Sequence, residues 1–348
     1  MTHILLIDGN NIGYASMYVP ALSRMAHHGQ PTGGIMGLAQ SVMRITELYP
    51  GAIPVVLWDG HAAWRKALCP EYKDNRKSTP EKIAVADSWR QQQSLASALL
   101  LQMGVIQMRA VDAEADDLAG RLCSDPGTMV EQGIERITLV SGDTDWWQAI
   151  SERVDWFTPI TDKTMTLDKL RTDEVKDGPF TGPEEYLLAK CIAGDSSDNI
   201  PGVPGVGIAT AVKLLRLHGG LDGIEQAVSS GHAKDKKSSA IAENRTLIER
   251  NRKIMDWRLA PAANPWTVGL VREPFDPEVC QRMCEDFGLV RLSARLSEDG
   301  RWGKVVPDQN PVYSEQPQRC ERIGEEYDRR WRSSTWKRMR SAPHRAEQ

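Results

Sequence analysis

The six cysteines of this 348-residue chain (Cys69, Cys123, Cys191, Cys280, Cys284 and Cys320) form no CxxC pair, and no histidines join them at zinc-ligand spacing. A zinc site and a disulfide framework are thereby excluded, and a reducing compartment, the cytoplasm, is the expected setting. No apolar run approaches the ~20 residues that span a bilayer. The stretch from Met1 to Asp8 is too short for a signal peptide. Internal repeats are absent, as is any Ser–His or Cys–His constellation for nucleophilic catalysis. A dominant charge is lacking too: 43 Lys plus Arg face 47 Asp plus Glu, a net charge of −4. That balance by itself gives no attraction to a phosphate backbone.

What the chain does have is carboxylates in particular places. Asp8, Asp59, Glu114, Asp116, Asp117, Asp143, Asp145, Asp195 and Asp198 each end an apolar run or open a helix-like pattern. Three clusters among them read EADD, SGDTDW and GDSSDN. With these nine set aside, 43 basic residues face 38 acidic ones, so the remaining surface is mildly basic and compatible with nucleic acid. A lone Asp at a strand end is usually a cap, and acids at a helix start complement its dipole. Asp195 and Asp198, taken alone, read as helix caps. Taken together, the clusters point to hard divalent cations, because carboxylates that share a site repel one another unless a cation compensates them. Glu114 and Asp117, three residues apart, face one side of a turn while Asp116 points elsewhere. Asp143 and Asp145 follow one strand and aim at the same edge. A pool of this size is what a two-metal phosphodiester-cleaving site requires.

The first 160 residues or so alternate strand-like and helix-like stretches. Strands are expected at His3–Asp8, Ile53–Asp59, Val105–Met108, Arg136–Val140 and Val154–Phe157. Helices are expected at Gly34–Tyr49, Ser88–Met103 and Glu114–Cys123. Short β-branched runs between helical patterns predict an α/β fold with a mostly parallel central sheet flanked by helices. Asp8, Asp59 and the SGDTD loop then lie beyond the carboxyl ends of strands, where open α/β sheets place their sites. Between Cys69 and Ala86 the periodicity fails, and the segment reads as mobile and lying over the site. Helical patterns resume at Pro183, near Ala240–Trp257 and at Asp276–Phe287. The expected division is an α/β core over residues 1–180, a helical region over 181–290 and a flexible tail over 291–348. Arg329, Arg330, Arg332, Lys337, Arg338 and Arg340, with Trp331 and Trp336, suit a solvated end more than a nucleic-acid contact.

Two further elements carry chemistry. The run Gly202-Val203-Pro204-Gly205-Val206-Gly207, followed by Ile208-Ala209-Thr210-Ala211, sets a Gly-rich turn against a helix start. Backbone N–H groups there suit a phosphate, although a plain helix corner has the same appearance. Lys73 and Arg76, in EYKDNR, could hold a scissile phosphate if that segment lies over the carboxylates. Tyr14 and Tyr72 are candidates for stacking on bases.

The order LLIDG, LWDG, EYKDNR, EADD, SGDTDW, GDSSDNIPGVPGVG resembles the structure-specific 5′-nucleases, the flap endonuclease and 5′→3′ exonuclease family, over about Met1 to Leu221. The stand-alone bacteriophage and bacterial members, and the 5′-nuclease domain of bacterial DNA polymerase I, are most similar. The resemblance implies two Mg²⁺ or Mn²⁺ ions, the first held by Asp8, Asp59, Glu114 and Asp116. Asp143, Asp145 and Asp198 would hold the second, with Asp195 close by and Asp117 acting through water or from behind the ligands. It also implies a helical arch over about residues 70–92 with Lys73 and Arg76 at its base. The Gly202–Ala211 run resembles a helix–hairpin–helix element, often with bound K⁺, that grips duplex DNA through Gly202, Gly205, Val206, Gly207, Thr210 and Lys213. Expected partners are DNA with a 5′ end, flap or single-strand junction, an RNA–DNA hybrid, and replication proteins. Two positions depart from the family pattern: Ala15 stands where many relatives carry Arg, and Ala209 where many carry Lys. Each removes a phosphate contact, and neither touches an expected metal ligand. The rival readings are a metal-dependent RNase on a related fold and a non-catalytic DNA-binding protein.

Overall fold

The computed structural model describes residues 2–77, 79–124, 133–172, 178–260, 268–271, 273–297 and 302–305. Its centre is a seven-stranded sheet. In chain order the strands are β1 (Thr2–Asp8), β2 (Ile53–Trp58), β3 (Ile106–Ala110), β4 (Ile134–Val140), β5 (Val154–Thr158), β6 (Lys163–Met165) and β7 (Val268–Val271). They lie in the order β7-β3-β2-β1-β4-β5-β6. β3, β2, β1, β4 and β5 are parallel to their neighbours, and β6 and β7 are antiparallel at the two edges. The mostly parallel sheet agrees with the expected α/β class. The two antiparallel edges were not expected: β6 is three residues long, and β7 comes from far along the chain.

Strand alternation explains why both faces are covered. Along β1, Ile4 and Leu6 point to one face and Leu5 and Ile7 to the other, and all four are buried. The face of Leu5 and Ile7 is covered by α1 (Gly9–Ser16), α2 (Gly33–Leu48) and α4 (Pro80–Gln102), with α3 (Ala63–Leu68) following β2. The face of Ile4 and Leu6 packs on α5 (Ala115–Ser124), α6 (Pro183–Ala193), α7 (Ile208–His218), α8 (Leu221–Ser229), α9 (Lys236–Glu243) and α10 (Arg245–Met255). The buried Asn251 fastens α10 to this layer. Its Nδ2 donates to the carbonyls of Cys191 and Pro201 at 2.9 and 2.8 Å.

Two expectations need correction. Helix α4 begins at Pro80, eight residues before the expected Ser88, because Thr79 caps it by accepting from Lys82 N and Pro80 fits its first turn. The segment before it is not loose. Lys73 N donates to the Asp198 carbonyl, Asn75 Nδ2 to the Ser196 carbonyl and Asn199 Nδ2 to the Glu71 carbonyl, at 2.8, 2.6 and 2.8 Å. The second correction concerns the expected tail from residue 291. Helices α11 (Pro277–Asp286) and α12 (Val290–Arg295) return to the Leu5 face, and Trp302 is fully buried there with its Nε1 donating to the Met103 carbonyl at 2.8 Å. The physical reason is area: Phe287, Leu292, Leu296 and Trp302 cover a face that would otherwise be wet. The expected Arg-rich stretch from Arg329 to Arg340 lies outside the described residues. Among the described residues, no helix is long and apolar enough to cross a membrane.

Removal of the Trp302 ring tests this closure of the core. Trp302→Ala is expected to lower stability by about 3–5 kcal/mol, read as a lower denaturant midpoint at unchanged slope. An unchanged midpoint would show that the segment does not belong to the core.

Candidate metal centre

Parallel strands end on one edge, and the acids follow those ends. Asp8 closes β1, Asp59 follows β2, Ser141-Gly142-Asp143 follow β4, and Glu114 precedes α5 just beyond β3. The side chains divide into two sets by what holds them.

The first set is held by neutral donors. Asp8 accepts from Asn11 N at 2.9 Å, which caps α1, and from Ser141 Oγ at 3.0 Å. Asp59 accepts from Asn10 Nδ2 at 2.7 Å and Ala115 N at 2.9 Å. Asp116 accepts from Trp146 Nε1 at 2.9 Å. Asp143 accepts from Asp145 N at 2.9 Å and so caps the 3₁₀ turn Thr144–Ala149. None of these four has an ion-pair partner among the described residues. Burial, with the Asp59 charge next, pushes Asp8 up to about 7. Burial and Asp143 push Asp116 well above the usual carboxylate range. Asp143 is also raised, by burial first, against the opposing charge of Lys190.

The second set is held by cations. Lys190 Nζ, on α6, pairs with both Asp145 and Asp195, the latter at 2.8 Å. Burial raises Asp195, but Lys190 and Ser197 outweigh it and bring the group down to about 2. Arg76 pairs with Asp198, and Lys73 Nζ lies 3.8 Å from the same carboxylate. Lys73 Nζ also donates to both oxygens of Glu114 at 2.8 Å, while Tyr72 OH donates to Oε2 at 2.9 Å. These cations hold Glu114 below its ordinary value in spite of burial. The backbone here is strained, with positive φ at Lys73 and Asn199 (60° and 57°), as is common at functional sites.

The structure thus gathers Asp8, Asp59, Glu114, Asp116, Asp143, Asp145, Asp195 and Asp198 at one edge. Asp117 takes the second of its two expected places: both its oxygens are held by the buried Arg65, at 2.6 and 2.7 Å, so it braces the site from behind. Tyr72 departs from the expected stacking on a base, since its ring is buried and serves Glu114. Val206 is buried, and a Cβ at Gly202 would lie 2.0 Å from the Ala193 carbonyl, so both shape the Gly-rich turn from within. Gly205, Gly207 and Lys213 are exposed around the start of α7, Thr210 is half-buried beside them, and Tyr14 is half-buried on α1. Among the described residues no three of the acids are drawn together tightly enough to enclose an ion; Lys73 and Lys190 stand between them. The donors are nonetheless all hard oxygens, and four of the carboxylates lack an ion-pair partner among the described residues, which suits a hard divalent cation and not a soft metal.

Sequence reasoning missed Lys190, Arg65 and Trp146. Lys190 had a readable signal, a lysine inside the otherwise apolar run YLLAKCIA. Arg65 and Trp146 had none, because their partners are distant in the chain.

Comparison with known proteins agrees with this picture. Residues 3–177 match the 5′-3′ exonuclease N-terminal resolvase-like domain, and residues 181–264 match the 5′-3′ exonuclease C-terminal SAM fold. The thermostable DNA polymerase I of Thermus filiformis is 31% identical over 222 residues, covering 64% of this chain and 24% of the polymerase. The 5′-3′ exonuclease of Buchnera aphidicola subsp. Schizaphis graminum is 30% identical over 215 residues, 61% of this chain and 69% of that protein. The chain therefore spans about a quarter of the length of that polymerase. In fold, it is similar to the bacteriophage T5 D15 flap endonuclease, solved with DNA and metal ions. The TM-score is 0.61 at 21% identity, over 84% of this chain and 99% of that one. Flap endonuclease-1 from Methanococcus jannaschii gives 0.52 at 15% identity, over 85% and 90%.

Two neighbouring acids should respond with opposite sign. Asp117→Asn leaves Arg65 buried and half-paired, an expected cost of about 3–5 kcal/mol. Asp8→Asn should stabilise the metal-free protein instead. The folded chain holds the Asp8 proton more tightly than the unfolded one, so stability is lost as pH rises from the ordinary 3.8 through about 7. Melting in EDTA should therefore show a larger gain for Asp8→Asn at pH 8 than at pH 5. An equal gain at both would contradict the charge argument.

Proposed function

The chain belongs to the 5′-3′ exonuclease family, a family of enzymes, and from that premise we propose that it hydrolyses DNA phosphodiesters near a 5′ end or flap by a two-metal mechanism. The observation that carries this reading is the set of four carboxylates, Asp8, Asp59, Asp116 and Asp143, that share one edge without a cationic partner among the described residues. Asp8, Asp59, Glu114 and Asp116 would hold one Mg²⁺ or Mn²⁺, and Asp143, Asp145 and Asp198 a second, with Asp195 beside them. When bound, such ions supply Lewis acidity at the phosphoryl oxygens and an acidified water as nucleophile, giving a 5′-phosphate product.

The chain's own residues do the rest. Asn10 fixes Asp59, and Asn11 N and Ser141 Oγ fix Asp8, through hydrogen bonds. Arg65, braced on Asp117, lies 3.3 Å from Glu114 and keeps that group ionised. Lys73 and Arg76 rest on Glu114 and Asp198. From there both side chains would reach oxygens of the scissile phosphate, where their charge would offset that developing in the transition state. The exposed turn at Gly205 and Gly207, before α7, would take backbone phosphates of the duplex through its N–H groups. The cytoplasm is the compartment that fits this substrate. An RNA–DNA hybrid would offer the site the same phosphodiester chemistry.

A 5′-labelled flap duplex tests the proposal. Cleavage is expected with Mg²⁺, none with EDTA and none for Asp145→Asn; Lys73→Ala should lose about 10²–10³-fold in kcat. Product length separates flap from exonuclease action. Binding of the duplex without cleavage in Mg²⁺ or Mn²⁺ would sink the enzymatic reading and leave a DNA-binding protein.

A further inference from the structure

The aromatic side chains packed behind the acids are unusually well ordered around one donor. Trp146, fully buried, gives its Nε1–H to Asp116 Oδ1 at 2.9 Å. It is the sole hydrogen-bond donor to that carboxylate among the described residues, and an indole can only donate. The ring is fixed from behind. Trp257 meets it edge to face at 5.8 Å between centroids, and Trp257 in turn lies against Gly120, where an added Cβ would come within 2.4 Å of its Cε3. Gly120 stands four residues after Asp116 on α5, so both belong to one face of that helix. Trp257 N donates to Gln148 Oε1 at 3.1 Å, which returns to the 3₁₀ turn carrying Trp146. The contacts close a ring: Asp116, Trp146, Trp257, Gly120 and back along the helix.

Resting on the divalent-ion reading above, we infer that Trp146 is a positioning residue for the metal site. It sets the orientation of Asp116 through its N–H, while Gly120 and Trp257 set the orientation of Trp146. Asp116 has no cation to hold it, unlike Glu114, Asp145, Asp195 and Asp198. A carboxylate free to rotate would have to be ordered at the moment an ion binds, and that entropy would be lost from the affinity. The indole removes the freedom in advance and leaves Oδ2 unclaimed by any hydrogen bond among the described residues. Donors behind metal ligands typically govern affinity by ten- to a hundredfold. Trp257 follows α10, so the same ring of contacts ties the helical layer to the ion.

The test is Mg²⁺ binding by the full chain without DNA, followed by calorimetry and by tryptophan fluorescence. Trp146→Phe keeps a ring and deletes the N–H; its Mg²⁺ affinity is expected to fall at least tenfold. The part of the Mg²⁺-induced fluorescence change that comes from this indole should vanish with it. Gly120→Ala, which touches no acid, is expected to weaken Mg²⁺ in the same direction by displacing Trp257. It decides the matter if Trp146→Phe does not fold. Trp146→Phe that melts earlier yet binds Mg²⁺ as the wild type does would overturn the inference and leave the metal reading standing. A wild-type chain that takes up no Mg²⁺ would overturn both.

Discussion

Repulsion among carboxylates at one sheet edge is the constraint to which the rest of this structure answers. Parallel strands all end on the same side, so acids placed at strand ends are forced together whatever the intervening chain does. Buried, such groups either hold a proton more tightly, as the raised Asp8, Asp116 and Asp143 do, or find cations. The fold uses both answers at once. The strand-end set is left to neutral donors, and the outer set is closed by Lys73, Arg76 and Lys190.

That division explains how two layers of the molecule are joined. Lys190 comes from α6, Asp195 and Asp198 from the loop after it, and Lys73 and Arg76 from the segment before α4. Their ion pairs cross from one layer to the other at the site itself. Asn75 and Asn199 add side-chain-to-backbone bonds along the same seam. Occupation of the acids by divalent ions would therefore loosen the same contacts that hold the segment of Lys73 and Arg76. Binding at the edge and the posture of that segment would then be coupled through the shared Glu114 and Asp198 carboxylates.

Much of this was legible in the sequence, for physical reasons that differ by element. Strand β2 and the runs Ile4–Ile7 of β1 and Ile137–Val140 of β4 read clearly because they are buried on both faces and almost continuously apolar. The acids after them stood out because turn and helix-start positions are where a charge is visible against an apolar run. The start of helix α4 is hard to read because Ile83, Ala84, Val85 and Ala86 run together without helical spacing and none is buried; the Thr79-Pro80-Glu81 signal is present and outweighed. Trp302 was hidden by composition, a single large ring in a polar stretch, yet it fills the core. What no local pattern could reveal were pairings across the chain. Arg65 with Asp117, Trp146 with Asp116 and Lys190 with Asp145 are separated by 52, 30 and 45 residues. Asp117 shows the consequence: its position left a contact through water and a bracing role both open, and its distant partner Arg65 decides for the brace.

Asp8, Asp59, Asp116 and Asp143 stand without a cationic partner among the described residues, the place that divalent ions would take. Crystals grown with Mn²⁺ and measured for anomalous scattering show whether they do. Mn²⁺ peaks are expected within ligand distance of these four carboxylates, with Lys73 moved off Glu114. Peaks elsewhere, or none at this edge while Lys73 and Lys190 keep their present partners, would overturn the two-metal reading.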